Sequence, residues 1–386
     1  MLAWFVCLAT EMFRHIPSPE RKLPVEPDRP INLIVPWGAG GSTDQVTRVT
    51  APILAEALGV EVVVVNQPGA SGAIGTQEVL NAPRDGYTWT ANAIANNATY
   101  AVTGLLEDTN IDDWHIYLSV ANVPVVSVPA DSEFTDFGQL LEALKTRGGE
   151  ITVATAGITS SGGTAIAALS DAADGFDYNM ITYDGGGPAA IAAAAGEAMV
   201  TTQLAVEQTE LIRGGRLKAL AVLSDQPLVL DGVDPIPPIT NWIPDMELAP
   251  DYFGIFVPTG VPDEVIATLD KIWGEQVASS EAIKTYAETF GAVFAPSYGA
   301  EARALAMPVV ILWTARGAIV LGDWLAAVPA LKRVVLHVTS AGGVSAWLKA
   351  GSGAWADTAN WSATPVNGPS ATVLFGSAPG AAATVT

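Results

Sequence analysis

The 386-residue chain contains a single cysteine, Cys7. An internal disulfide framework and a cysteine-built metal site are therefore excluded. Its three histidines, His15, His115 and His337, are scattered and do not group as the ligands of a metal centre do. Basic residues are scarce as well: 18 Lys and Arg stand against 40 Asp and Glu, a formal net charge of −22. A field of that sign favours solubility and repels phosphate backbones and anionic lipid, so nucleic acid and membrane surfaces are not expected partners. It also repels free anions in bulk, so any anion site has to be local and built from oriented dipoles. Long apolar runs are missing. Val309 to Leu321 is short and interrupted by Arg316, too little to span a bilayer. Met1 to Thr10 has the length of a signal-peptide apolar region, but it lacks a charged start and a clean small-residue cleavage site. It reads either as a degraded or misannotated export signal, which would place the protein in the periplasm or otherwise outside the cytoplasm, or as a start without meaning.

Apolar residues make up 49% of the chain, enough for one large or two medium cores. After a proline-rich leader that ends at Pro30, a unit of strand, glycine turn and helix repeats. Ile31 to Val35 leads through Pro36-Trp-Gly-Ala-Gly-Gly-Ser-Thr43 into helical spacing at Val46, Val49, Ile53 and Ala57. Ser42 and Gln45 have capping-box spacing, and Pro52 should kink that helix or end it early. Further strands are expected at Glu61 to Val65, Thr88 to Ile94, Ile151 to Thr155, Met180 to Tyr183 and Leu217 to Leu223. The last of these is continuous enough to be buried on both faces. The alternation predicts an α/β fold with mainly parallel sheets, and the length predicts two lobes.

Ile116 to Pro129 and Ala249 to Pro258 are extended and proline-bounded, and they read as the segments that cross between lobes. The expected organisation is a leader over 1–29, the first part of lobe one over 30–120, lobe two over 121–250 and a return to lobe one over 251–328. An atypical Gly/Ala/Ser/Thr-rich tail fills 329–386. Asp263 to Val277 is a strongly amphipathic helix in this reading. The tail is expected to be dispensable, with Leu331 to Val338 as a possible edge strand. Gly353 to Ser362 is similar to one tryptophan-bearing repeat of secreted autotransporter-type β-solenoids, but one repeat cannot stack on itself, and the segment reads equally as a fusion or gene-boundary accident.

The turns carry the functional signal. Ligands of parallel α/β sheets bind beyond the carboxyl ends of strands, where helix N-termini offer unpaired N–H groups and partial positive charge. Gly40, Gly41, Ser42 and Thr43 would form one anion cradle, and Gly69, Ala70, Ser71 and Gly72 a second. Thr155, Gly157, Ser160 and Ser161, with Gly185, Gly186 and Gly187, would supply the opposing wall. A bulky residue at Gly41 or Gly72 should then remove binding without unfolding the chain. Any one such turn can equally be a plain strand–helix link. Nucleotide motifs are absent: the first turn lacks the Gly-Lys-Ser/Thr core of a P-loop, and Thr43 stands where a dinucleotide fingerprint needs its third glycine.

Pro36-Trp-Gly-Ala-Gly-Gly-Ser-Thr-Asp44, Val65-Asn-Gln-Pro-Gly-Ala-Ser-Gly72 and Asp85-Gly-Tyr-Thr88 resemble the substrate-binding proteins of tripartite tricarboxylate transporters, the Bug or TctC-like family. Ile181 to Pro188, Gly214 to Val222 and Phe253 to Pro262 fit the same family in order. The resemblance covers roughly residues 28 to 328. It implies an extracytoplasmic, periplasmic-binding-protein-like fold with a ligand cleft between two lobes, a small organic carboxylate as ligand and a membrane permease as partner. It further implies a monomer with no cofactor, no metal and no catalysis.

By the resemblance, Gly40 to Thr43 and Pro68 to Gly72 would hold the carboxylate. Thr155 to Ser161 and Tyr183 to Gly187 would read the rest of the ligand. Trp37 is bulkier than expected in its turn, where it could stack on a ligand ring or pack the lobe. Asp44 completes the first motif, and Asp184 could pair a ligand amine or sit in solvent. Ser161-Gly-Gly-Thr164 replaces the serine and histidine of the family at that turn, which puts the family's usual substrate in doubt.

Two other classes use the same cleft. A hydrolase on Ser160 or Ser161 would need a Gly-x-Ser-x-Gly elbow and an activating histidine, and the sequence supplies neither. A sensing module docked on a receptor kinase would bind its ligand in the same way.

Overall fold

The computed structural model describes residues 26–106, 109–246, 250–308 and 310, and three strands between 333 and 376. The first lobe is built on a six-stranded sheet. Its strands are β1 (Ile31–Val35), β2 (Val62–Asn66), β3 (Thr88–Ala93), β4 (Trp114–Asn122), β10 (Asp251–Pro258) and β11 (Val293–Tyr298), in the order β11-β4-β10-β3-β1-β2. The second lobe carries five strands: β5 (Val125–Pro129), β6 (Thr152–Thr155), β7 (Asn179–Thr182), β8 (Val200–Thr201) and β9 (Leu217–Val222), in the order β7-β6-β8-β5-β9.

Alternation along the strands explains why both faces of the first sheet are covered. Leu33, Val35, Tyr117, Ile255 and Val257 enter a core with α1 (Ser42–Leu58), α8 (Asp263–Ile272) and α9 (Glu281–Phe290). Ile34, Ile116, Leu118 and Phe256 face the other way, onto α2 (Ala73–Asn81), α3 (Ile94–Thr99) and a helical segment at 299–308. In the second lobe, Val126, Val128, Val153 and Leu220 pack on α4 (Phe137–Arg147) and α5 (Ser161–Ala172). Ala154 packs on α6 (Gly186–Ala194), while Val125 and Val222 pack beside α7 (Ala205–Arg213). The chain leaves the first sheet after Asn122, enters the second at Val125, and rejoins the first at Asp251.

Several expectations are corrected. The sheets are mixed, not mainly parallel: β10 runs antiparallel to β3 and β4, β11 to β4, and β5 to β8 and β9. A strand that returns from the other lobe re-enters the sheet from its opposite end. Strand β9 lies at the edge of its sheet and still packs on both faces, Leu220 beside α4 and α5 and Leu217 and Val222 beside α6 and α7, while Lys218 donates to the carbonyls of Ser132 and Phe134. Helix α1 runs straight through Pro52. That proline is exposed, and Arg48, whose carbonyl loses its bonding partner, is exposed too, so water can take the bond. The amphipathic segment from Asp263 ends as an α-helix at Ile272 and continues to Val277 as a π-turn.

Strands β12 (Arg333–Thr339), β13 (Val344–Leu348) and β14 (Ser370–Gly376) form an antiparallel sheet of their own, in the order β13-β12-β14. The stretch expected as an edge strand thus pairs within the tail. The leader before residue 26 and the single repeat at Gly353 to Ser362 lie outside the described residues.

Candidate functional site

The turn between β1 and α1 is fixed by an acid. Asp44, in the first turn of α1, is buried and accepts from Gly40 N at 2.9 Å, Arg48 Nε at 2.9 Å and Asn66 Nδ2 at 2.9 Å. Burial alone would raise its carboxyl, but the hydrogen bonds from Arg48, Gly40 and Asn66 and the Arg48 charge outweigh it, and the net shift is downward. Asn66 also donates to the carbonyl of Trp37, which ties this turn to the end of β2. Trp37 itself is buried in the lobe-one core, and its indole N–H donates to Asn92 Oδ1 at 3.2 Å. The structure therefore places Trp37 in lobe packing. Asn92 continues the network to Asn97 at 3.1 Å.

The turn between β2 and α2 is left-handed over four consecutive residues: Gly69, Ala70, Ser71 and Gly72 have φ of 131°, 46°, 53° and 88°. Ala70 and Ser71 are strained there, at roughly 1–2 kcal/mol each. Gly72 packs so closely that an added Cβ would lie 2.5 Å from Tyr100 OH and 2.9 Å from Trp37 Cζ2. Pro68 opens this turn as a partly exposed residue.

In the second lobe, β6 ends at Thr155, whose hydroxyl accepts from Gly157 N at 3.2 Å. Ser160 is the N-cap of α5: its hydroxyl accepts from Gly163 N at 3.0 Å and donates to Gly157 O at 2.7 Å. Ser161 donates to Asp251 Oδ2 at 2.5 Å, and the other oxygen of Asp251 accepts from Ala95 N at 3.1 Å. Both hydroxyls are thus engaged in structural bonds. His115 lies on β4, with Asp270 and Asp263 as its charged neighbours.

The four turns meet across the lobes. Gly38 N donates to the Asp184 carbonyl at 2.6 Å, while the Asp184 side chain is exposed. Thr159 Oγ1 donates to Ser71 O at 2.8 Å, and Asn96 Nδ2 to Thr159 O at 2.7 Å. Glycines make the approach possible. An added Cβ on Gly187 would lie 2.6 Å from Gly40 O, and one on Gly157 2.1 Å from Ser71 Oγ. Gly185 comes as near, with its Cβ position 3.1 Å from Gly38 N. Tyr183 is the exception: its hydroxyl donates to Glu197 at 3.3 Å, away from the interlobe contact.

Glu207, three residues into α7, completes the contact. Its Oε1 accepts from Ser42 N of the other lobe at 2.8 Å, and its Oε2 accepts from Leu204 N at 3.1 Å. The expected Ser42–Gln45 capping box is absent. Gln45 instead donates to the carbonyls of Gly40 and Val206, and Glu207 caps α1 from across the cleft. Gly186 leaves the room, since a Cβ there would lie 2.1 Å from Glu207 Oε2. In the amide orientation that satisfies both neighbours, Gln203 donates to Glu207 Oε2 at 3.1 Å and accepts from Ala156 N at 2.9 Å. Loss of solvent raises Glu207 to about 7, against the hydrogen bonds from Ser42 and Leu204.

Comparison with known proteins decides the family. The sequence profile of the tripartite tricarboxylate transporter family receptor, TctC, matches residues 46–297. The chain belongs to that family. The resemblance carried by the glycine turns is thereby borne out. Among curated relatives of this receptor is Protein BugT of Bordetella pertussis, 31% identical over 268 residues, which are 68% of this chain and 80% of BugT.

Solved structures agree on the two-lobed α/β fold. The periplasmic binding protein BugD superposes with a TM-score of 0.66 at 24% identity, over 77% of this chain and 98% of that one. MatC from Rhodopseudomonas palustris with bound malate gives 0.68 at 21% identity, over 76% and 99%. Among the described residues of the receptor, no helix is long and apolar enough to cross a membrane.

Sequence reading missed Glu207, Gln203, Asn96 and Asp251, while Thr159 falls within the expected Thr155 to Ser161 wall. Each is one polar residue without a motif; the partners of Glu207, Asn96 and Asp251 lie 63 to 165 positions away, and Gln203 reaches Ala156. The one local signal was an acid in the first turn of α7, Glu207 reaching back to the Leu204 N–H, and it reports a helix start, not a cleft.

Proposed function

We propose that this receptor captures a small organic carboxylate outside the cytoplasm and presents it, chemically unchanged, to the membrane permease of a tripartite transporter. One observation carries the reading. Four strand-to-helix turns, two from each lobe, converge on one interlobe contact, and a carboxylate already sits on a helix N-terminus there, Glu207 on Ser42 N–H at 2.8 Å. Backbone donors at a helix start suit a carboxylate and need no cationic side chain, which fits a chain of net charge −22. The bound malate of MatC, a protein of the same fold, supports the same ligand class.

Gly40 to Thr43, Pro68 to Gly72, Thr155 to Ser161 and Gly185 to Gly187 frame the proposed cleft. Trp37 and Asp44 shape the first turn from behind, while Tyr183 and the Asp184 side chain lie at its margin. The bonds of Ser160 and Ser161 argue against nucleophilic use of either.

A thermal-shift screen of aliphatic and aromatic carboxylates tests the proposal. A ligand at a hundred times its dissociation constant should add about 2.7 kcal/mol and raise Tm. The ligand should be recovered unchanged after long incubation. A panel with no stabilising member, or a hit converted to product, would contradict it.

A further inference from the structure

The cradle at the start of α1 is already occupied by the chain's own acids. Gly40 N goes to Asp44, Ser42 N goes to Glu207, and Gly38 N goes to the Asp184 carbonyl. Asp44 belongs to the same turn and stabilises it. Glu207 is different, because it comes from the opposite lobe and is held there by its own helix through Leu204 N. Gly186 gives it space, since an added Cβ there would lie 2.1 Å from Oε2, while one on Gly41 would meet Oε1 at an ordinary 3.5 Å. Tyr286, on α9 of lobe one, adds a buried hydroxyl without a hydrogen-bond partner whose ionisation feels the Glu207 charge.

We infer that Glu207 is a specificity-determining residue: it fills one of the carboxylate seats of the cleft, so the receptor takes a monocarboxylate whose far end is a hydrogen-bond donor, an amine or a hydroxyl, and rejects dicarboxylates. The inference rests on the carboxylate-binding reading above and sharpens it. A second carboxylate beside Glu207 would set two like charges together in a site with little solvent, where one of them has to take up a proton. A donor group in the same place offers Glu207 a hydrogen bond and favours its ionised form. The ligand's single carboxylate is then left to the second lobe-one turn, Gly69 to Gly72, and to the start of α5. Discrimination of this kind works by a repulsive element as much as by an attractive one.

Calorimetric titration of the full chain with length-matched acids tests this. Suitable pairs are succinate with γ-aminobutyrate and γ-hydroxybutyrate, glutarate with δ-aminovalerate, and adipate with ε-aminocaproate. Wild type should favour the monocarboxylate of the binding set by about tenfold or more, equivalent to about 1.4 kcal/mol. Glu207→Gln should gain the dicarboxylate and erase most of that preference. Wild type binding a dicarboxylate as tightly as its monocarboxylate partner would overturn the inference and leave the carboxylate-receptor reading standing. An unchanged ratio in Glu207→Gln would overturn it too. If that variant fails to fold, as circular dichroism would show, the wild-type ratio decides alone. Binding of no acid by wild type would remove the broader reading, and this one with it.

Discussion

Single glycines do two separate jobs in this cleft, and substitution distinguishes them. Gly187 meets the opposite lobe, since its added Cβ would strike Gly40 O at 2.6 Å. Gly187→Ala should therefore leave each lobe folded and weaken ligand binding by about tenfold or more, a loss of roughly 1.4 kcal/mol. Gly72 meets its own lobe, with φ of 88° and Tyr100 OH at 2.5 Å from an added Cβ. Gly72→Ala should cost roughly 2 kcal/mol of stability through backbone strain and overpacking. Parallel melts and titrations would show the contrast; similar Tm losses in both variants would refute it. From sequence, Gly41 and Gly72 look interchangeable, because a glycine's neighbours across the fold leave no trace in its own segment.

Glu207 carries a pH dependence of defined sign. Its carboxyl titrates near 7 in the folded chain against an ordinary value of 4.5. Between those values the folded state keeps a proton that the unfolded chain has released. Its contribution to stability is complete below the unfolded value and is lost as pH rises through 7. The loss is at most on the order of 3 kcal/mol, and less where water reaches the side chain. Urea unfolding at pH 5 and pH 8 should show wild type losing more stability than Glu207→Gln. Equal losses in the two proteins would contradict the assignment.

At the scale of elements, strand–turn–helix order was legible wherever local chemistry sets it. Ile31 to Val35, the glycine turn and the periodic apolar face of α1 are dictated by neighbouring residues. Strand direction was not legible. Nothing within Asp251 to Pro258 states that it will pair antiparallel with both β3 and β4, because that follows from a chain that has first built another lobe. The helix start at Ser42 shows the same limit: its cap lies 165 residues away.

Helix α1 also shows a local rule giving way to burial. Pro52 remains inside it because Val46, Ala51, Leu54 and Leu58 hold the buried face, while the proline sits outside. Pro52→Ala should restore one backbone bond and raise stability by roughly 2 kcal/mol without changing ligand affinity. Denaturant melts with a parallel titration check this. An unchanged or lowered midpoint would mean that the helix does not strain at that residue.

For the whole molecule, the two sheets are joined at Asn122 to Val125 and through the segment that returns to Asp251, and the turns of both lobes face one contact. Such an arrangement gains affinity by completing its site on closure. Gly38–Asp184, Ser42–Glu207 and Ser71–Thr159 are contacts that join the two lobes. Apolar packing accompanies them, with Ala156, Leu204 and Val206 of lobe two in the lobe-one core, and a bound ligand adds to the free energy of the closed form. Small-angle scattering on the full chain, with and without a saturating carboxylate from the thermal-shift screen, measures this most directly. The account predicts a smaller radius of gyration with ligand, and Gly187→Ala staying at the ligand-free value. A radius unchanged by a ligand that calorimetry shows to be bound would contradict closure of the two lobes on a carboxylate.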